Sequence, residues 1–294
     1  MKQLTVFTPS YNRSHTLQRT YKSLCNQTCK DFDWLIIDDG STDNTKVLVE
    51  SWMKELKINI YYVYKENGGL HTGYNKAIEL IETELCVCID SDDWMPNDAV
   101  AKILSFWSKN KRDDVAGIMG LDFFADGKPI GGFFPDNVKE LKIIDMVPKY
   151  HHNGDVKVVH RTALLKDVAP MPVFEGEKNF NPIYLFHKVD MKYPLLLLND
   201  NLCFVEYQPD GMTNNIFNQY VSSPKSFSAL RRLLMSRPDV NLSFKFRNAI
   251  HYVSSQIMLK NKFWLKESPC KFLTLLASPF GLALYFYIKK KANI

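Results

Sequence analysis

Asp90-Ser91-Asp92-Asp93 sets carboxylates one residue apart, directly after the apolar run at residues 85–89 (LCVCI). Two carboxylates at that spacing can converge on one hard divalent cation. Such a cation would bridge the phosphates of a nucleotide-sugar and stabilise the departing diphosphate. A second acidic pair, Asp38-Asp39, ends the apolar run at residues 32–37 (FDWLII). Adjacent carboxylates after a buried strand are costly without partners. Asp39 could accept from a base N–H or a ribose hydroxyl; the alternative is a solvated cluster at a helix start. Thr8-Pro9-Ser10-Tyr11-Asn12-Arg13 supplies a ring that can stack on a base and a guanidinium that can pair with a phosphate. Taken alone, it also fits an ordinary strand-to-helix turn. Glu66-Asn67-Gly68-Gly69-Leu70-His71-Thr72-Gly73-Tyr74-Asn75-Lys76 has the glycines that permit close backbone approach, followed by a helix start that favours an anion.

The elements around these residues follow from hydrophobic periodicity. Residues 3–8 (QLTVFT) read as a buried strand ending at Pro9. Residues 14–28 have helical spacing, with Leu17, Tyr21, Leu24 and Cys25 on one face. After the strand at 32–37, Ser41 can cap a helix running to residue 56, with Val47, Leu48, Trp52 and Met53 as its apolar side. Residues 58–64 (INIYYVY) form a third strand, Asn67-Gly68-Gly69 a turn, residues 72–83 a helix and residues 85–89 a fourth strand. This alternation of strand and helix predicts an α/β domain with a parallel sheet covered on both faces. Three of the strands end in the polar motifs. Ligands of open α/β sheets sit at those carboxyl ends. Shorter β-like runs follow at 115–124, 156–160 and 195–205, and residues 226–265 read as helical and basic.

In order and spacing, the four motifs resemble family 2 of the glycosyltransferases, inverting enzymes with the GT-A nucleotide-diphospho-sugar fold. The likeness covers residues 3–100. It continues in Gly154-Asp155-Val156-Lys157, in Phe174-Glu175-Gly176-Glu177-Lys178, and in the stretch from Val205 to Thr213, which resemble a bacterial branch that builds capsule, exopolysaccharide and O-antigen. The resemblance implies a mainly parallel central sheet flanked by helices, with a basic helical C-terminal extension. Residues 1–221 would be the catalytic domain, its nucleotide-binding half at about 1–100 and its acceptor half at 101–221, and 222–294 a membrane-associating region. Thr8, Pro9, Tyr11, Arg13 and Asp39 would line the uridine site. Gly68, Gly69 and Asn75 would shape the wall near ribose and phosphates. Asp90 would face the ribose or the metal, with Ser91 beside it. Asp92 would be the main ligand of Mn2+ or Mg2+, and Asp93 would orient the donor sugar. Inverting transfer needs one base to take the acceptor proton. Glu177 is the expected base, with Glu175 second and Asp155 third. The chain departs from its branch at Asn179-Phe180-Asn181-Pro182, where a second acidic residue is expected, and at Leu70, where a Lys is common.

Composition narrows the alternatives. The 294 residues are 46% hydrophobic and 23% charged, within the globular range, so general disorder is excluded. None of the six cysteines forms a CxxC pair, so a zinc ribbon is not expected. The N-terminus does not read as a secretory leader, and reduced cytosolic thiols are the expectation. From Ser222 onward there are 13 Lys/Arg against only Asp239 and Glu267, whereas the rest carries 24 basic and 30 acidic side chains. A basic tail on an acidic body suits an anionic membrane surface through residues 226–294, and no nucleic-acid motif accompanies it. Residues 272–288 carry no charge and precede Lys289-Lys290-Lys291. Pro279 and Gly281 are expected to interrupt them, favouring an interfacial or re-entrant anchor over a clean span or a buried helix. The expected partners are a UDP-sugar donor and a saccharide acceptor, lipid-linked, at the inner face of the cell membrane. A nucleotide-sugar-binding protein without catalysis and a membrane-surface module are the rival classes. A dinucleotide dehydrogenase is a poor fit, because no GxGxxG follows the first strand.

Overall fold

The computed structural model describes residues 2–206 and 215–292. Part of the C-terminal resemblance, residues 207–213, lies outside them. The described chain divides into two compact units. The first comprises residues up to 68, 72–170 and 185–206; the second comprises 69–71, 171–184 and the described residues from 215.

The first unit opens with β1 (Leu4–Ser10), α1 (Ser14–Cys25), β2 (Phe32–Asp38), α2 (Thr45–Glu55) and β3 (Ile60–Tyr64). Then come α3 (Leu70–Leu80), whose first residues belong to the second unit, β4 (Leu85–Cys88), α4 (Ala99–Asn110), β5 (Gly117–Phe124) and β6 (Glu140–Leu141). The remainder is α5 (Met146–Tyr150), β7 (Val156–Arg161), α6 (Thr162–Val168), α7 (Ile183–Asp190), whose first two residues belong to the second unit, and β8 (Leu195–Val205). One eight-stranded sheet runs β3-β2-β1-β4-β7-β5-β8-β6. β3, β2, β1 and β4 are mutually parallel, as is the β5–β8 pair. β7 is antiparallel to both β4 and β5, and β6 is antiparallel to β8. The sheet is thus mainly parallel, as expected. All seven residues of β1 are buried, as suits a central strand covered on both faces.

Leu4, Val6, Trp34, Ile36, Leu85 and Val87 form the centre of the main core. Over them Tyr21 of α1 stacks on Trp52 of α2, ring centroids 4.3 Å apart and ring planes nearly parallel. Such pairs contribute about 1 kcal/mol beyond area burial. Ser41 does not cap α2, which starts four residues later. Its N–H instead donates to Asp38 Oδ1 (2.7 Å), so the loop is fastened back onto the strand end.

The second unit is helical: α8 (Ile216–Ser222), α9 (Pro224–Ser236), α10 (Leu242–Met258), α11 (Trp264–Glu267) and α12 (Lys271–Lys291). Pro279 and Gly281 do not interrupt α12, contrary to the expectation. Pro279 leaves the Leu275 carbonyl without its usual N–H partner, and the Ser278 hydroxyl donates to that carbonyl instead (2.7 Å). Gly281 is a contact point: a Cβ there would lie 2.5 Å from the Val253 side chain of α10. Thr274, Ala277, Gly281 and Ile288 are therefore the buried stripe of α12. Phe272, Leu275, Leu276, Phe280, Leu282 and Phe286 project from the opposite side and are exposed. Among the described residues, α12 is the one helix long and apolar enough to cross a membrane by length and composition.

Candidate active site

The polar motifs gather where β1, β2 and β4 end. Backbone bonds tie these ends together: Asp39 N–H donates to Ser10 O (2.8 Å) and Ile89 N–H to Phe7 O (3.0 Å). Asn12 braces the first two loops. It adopts a left-handed conformation (φ 53°), which Asn tolerates better than most residues. Its Oδ1 accepts from Thr42 N–H (2.8 Å), and its own N–H donates to Ser41 Oγ (2.9 Å). Asp43 completes the brace, accepting from Ser14 N–H and from the Thr45 hydroxyl and N–H. Burial works against its charge, but these hydrogen bonds outweigh it and hold the carboxyl down at about 2. Tyr11 is 48% exposed, free to stack on a base. Thr8 turns the other way, a correction to the expectation. Its hydroxyl is buried and accepts from the Trp34 indole N–H (3.0 Å), inside the core. Pro9, on the opposite face of β1, is buried against Gly73 of α3.

Asp39 is buried and organises the third motif. Its Oδ1 accepts from the Lys65 ammonium and from Gly68 N–H (3.0 Å), and its carbonyl accepts from the Asn67 amide (2.8 Å). Lys65 also donates to the Thr72 hydroxyl (2.8 Å). Lys65 was not singled out in the sequence, although it directly precedes Glu66. Gly68 has no room for a side chain, since a Cβ would lie 2.7 Å from Thr72 Oγ1. Gly69 combines a positive φ of 93° with a Cβ position 1.9 Å from the Lys178 carbonyl oxygen, so glycine is required there. Asn75 lies half-buried on α3, next to the buried Tyr74.

The 90–93 segment is a turn closed by Asp93 N–H donating to Asp90 O (3.0 Å). α1 fixes its far side. Arg19 donates to Asp92 O (2.5 Å) and lies over the Trp94 ring at 3.9 Å, while the Thr20 hydroxyl donates to Asp93 O (2.7 Å). Asp90 is exposed, Ser91 buried and Asp92 half-buried. Burial and the neighbouring Asp90 charge push the Asp92 carboxyl above its ordinary value, and Arg13 and Arg19 oppose them. Asp93 does not face the donor side: it points into the sheet, with Oδ2 3.8 Å from the buried Lys157 ammonium. This corrects its expected role with the sugar.

Asp90 and Asp92 are neighbouring carboxylates, the hard oxygen donors that a divalent cation takes. No group of three His, Cys, Asp or Glu capable of holding a metal occurs among the described residues, so the chain would supply only part of a coordination shell.

In the second unit, Glu177 is buried at the start of α9. Its Oε1 accepts from Lys225 N–H (2.8 Å), and its Oε2 accepts from Ser226 N–H (2.8 Å) and the Ser226 hydroxyl (2.7 Å). The expected base is thus committed to unpaired N–H groups at a helix N-terminus. Glu175, two residues earlier across a turn with Gly176 at φ 80°, is exposed. Asp155 is exposed just before β7 in the first unit.

Residues 5–128 match the description "Glycosyl transferase family 2". This stretch resembles a family 2 glycosyltransferase domain. The chain is similar to the poly(ribitol-phosphate) beta-N-acetylglucosaminyltransferase TarP of Staphylococcus aureus, 30% identical over 149 residues, which cover 49% of this chain and 45% of TarP. It spans about half the length of the first curated relatives it matches. The structure of S. aureus TarS residues 1–349 superposes with a TM-score of 0.65 at 18% identity, covering 100% of this chain and 91% of that one. The chain has the same GT-A fold. A mannosyltransferase of Pyrobaculum calidifontis, solved with GDP-Man and Mn2+, superposes at 0.57 with 16% identity, over 99% of this chain and 83% of that one. The family 2 match ends in the loop after β5, so β6, β7, β8 and the second unit from residue 171 onward lie beyond it.

Proposed function

We propose that the chain is an inverting glycosyltransferase that moves a sugar from a UDP-linked donor to a saccharide acceptor of a bacterial surface polymer. The observation that carries this reading is the convergence of the four polar motifs at the carboxyl ends of β1, β2 and β4 inside a family 2 domain. UDP is favoured because TarS, of the same fold, is also solved with UDP-GlcNAc. A cell-wall acceptor is favoured by the name of TarP. Tyr11 offers a ring to the base, Arg13 a charge to the diphosphate, and Asp39 with Lys65 holds the 65–72 segment that forms the wall beside it. Asp92 and Asp90 would hold Mn2+ or Mg2+. When bound, that ion supplies charge to the leaving diphosphate. The mannosyltransferase solved with Mn2+ supports a metal in this fold.

Deprotonation of the acceptor is assigned to Glu175, because its exposed carboxylate is available and that of Glu177 is not. Glu177 is a positioning residue that holds the 174–178 turn against the start of α9. Residues 1–221 carry the transfer chemistry and 222–294 the attachment surface, with segment 171–184 built into the second unit. α12 has one face on α10 and one apolar face outward, with Lys271 at one end and Lys289, Lys290 and Lys291 at the other. That arrangement suits a helix lying in the interface of an anionic membrane rather than one crossing it. The place of action is the inner face of the cell membrane, with a lipid-linked saccharide as acceptor.

Incubation with UDP-GlcNAc, Mn2+ and candidate saccharides, with the anomeric configuration of the product read by NMR, tests the activity. A β-linked product from the α-linked donor is expected. Retention of configuration, or no donor turnover with any acceptor or with water, would contradict it.

A further inference from the structure

A lysine stands inside the carboxylate cluster. Lys157 is buried, and its ammonium lies 3.8 Å from Asp93 Oδ2 and 3.7 Å from Asp122 Oδ2. Asp122 is also buried, and its Oδ1 accepts no hydrogen bond among the described residues. The sheet topology explains how the lysine arrives there. β7 runs antiparallel between β4 and β5, so its first residues lie at their carboxyl ends. Val87 pairs with Val159, and continuing that register sets Lys157 beside Ile89, at the start of the 90–93 turn. Cys203 of β8, the register partner of Asp122, closes the cluster with its thiol 3.9 Å from Asp93 Oδ2. Burial disfavours the lysine's charge, but Asp122, Cys203, Asp93 and Asp90 outweigh it and hold Lys157 protonated.

Without a cation of its own the cluster would hold Asp90, Asp92, Asp93 and Asp122 in one neighbourhood. Buried like charges are expensive unless compensated. Lys157 compensates the inner pair and so separates it from the outer pair.

We propose that Lys157 is a positioning residue for the divalent ion of the donor site: it keeps Asp93 and Asp122 inside the sheet as its own partners, leaves Asp90 and Asp92 to face the ion, and moderates the ion's affinity by its charge. The proposal rests on the reading of Asp90 and Asp92 as the metal pair. Removing the lysine charge deepens the negative potential and releases Asp93, so the ion is held more tightly. Removing the Asp122 charge leaves the lysine less balanced, and the ion is held less tightly.

The test is calorimetric titration of the full chain with MnCl2, alone and with saturating UDP. Lys157→Met should tighten Mn2+ binding by about tenfold or more, Lys157→Arg should stay within about threefold of wild type, and Asp122→Asn should weaken binding by about fivefold or more. Unchanged or weaker binding in Lys157→Met overturns the proposal, as does an arginine variant that behaves like the methionine one. Where Lys157→Met does not fold by circular dichroism, Asp122→Asn decides: unchanged or tighter binding overturns the proposal. Asp92→Ala separates the two levels. Wild-type binding that survives Asp92→Ala, or no wild-type binding at all, removes the metal reading and this proposal with it. Binding that depends on Asp92 but ignores Lys157 and Asp122 removes this proposal alone.

Discussion

Glu177→Gln separates a structural carboxylate from a catalytic one. The carboxylate takes three donors at the first turn of α9: Lys225 N–H on one oxygen, Ser226 N–H and hydroxyl on the other. Glutamine keeps one acceptor oxygen and brings an NH2 group to the second position. Placed to serve Ser226, its oxygen leaves the amide nitrogen facing Lys225 N–H, donor against donor. An unsatisfied buried donor costs about 1–3 kcal/mol, and loss of the negative charge at a helix start adds roughly 0.3–1 kcal/mol. The sum is about 1–4 kcal/mol. For a chain of this size it amounts to a fall in Tm of roughly 2–6 °C. Calorimetry of the full chain reads it directly. Glu175→Gln is the companion: its melting temperature should stay within about 1 °C of wild type, as expected for an exposed side chain away from special features, while transfer is lost. The reasoning is refuted if Glu177→Gln melts like wild type and yet abolishes transfer, because the carboxylate would then carry chemistry rather than the helix start.

His160 is buried on β7 with its ring 4.5 Å from Phe186, and burial holds its pKa down at about 3, below the ordinary 6.5. Below pH 6.5 the unfolded chain takes up this proton and the folded chain does not, so stability falls as pH falls towards 3. Between pH 7 and 5 the loss is about 2 kcal/mol. His160→Phe should flatten that part of the urea-measured stability profile; an unaltered slope would show that the ring is not held neutral. On α12, Phe272→Asp with Phe280→Asp should abolish cosedimentation with vesicles containing anionic lipid while leaving UDP binding intact. Undiminished vesicle binding would remove the interfacial role of that face.

Much of the nucleotide half was legible because its signals are local. Residues 32–37 are apolar at nearly every position, which marks a strand covered on both faces, and the acidic pair after it marks where that strand stops. Strand and helix positions came within a few residues for the same reason. What escaped was set by pairing between distant segments. Thr8 was assigned to the nucleotide by its place at a strand end, but strand alternation turns its hydroxyl to Trp34, on a neighbouring strand. Asp93 is expected beside the donor sugar, but β7 enters antiparallel and brings Lys157 behind it. The signal for that was a single cation in the run Val156-Lys157-Val158-Val159. The resemblance that makes Glu177 the expected base carries no information about the α9 start 48 residues later in sequence. Pro279 and Gly281 read as breakers because propensity reports on isolated helices. A serine hydroxyl and a close helix crossing reversed both.

The most direct measurement of the central claim is the thermal stability of the full chain with UDP-GlcNAc, UDP, GDP, CDP and dTDP, each with and without Mn2+, for wild type and Asp92→Ala. The account predicts a rise for uridine ligands that grows when Mn2+ is added, equivalent to about 2.7 kcal/mol at a ligand concentration of about 100 times Kd. It also predicts that Asp92→Ala removes the metal-dependent part and keeps the fold. Equal stabilisation with and without metal, or no stabilisation by any nucleoside diphosphate, would contradict it.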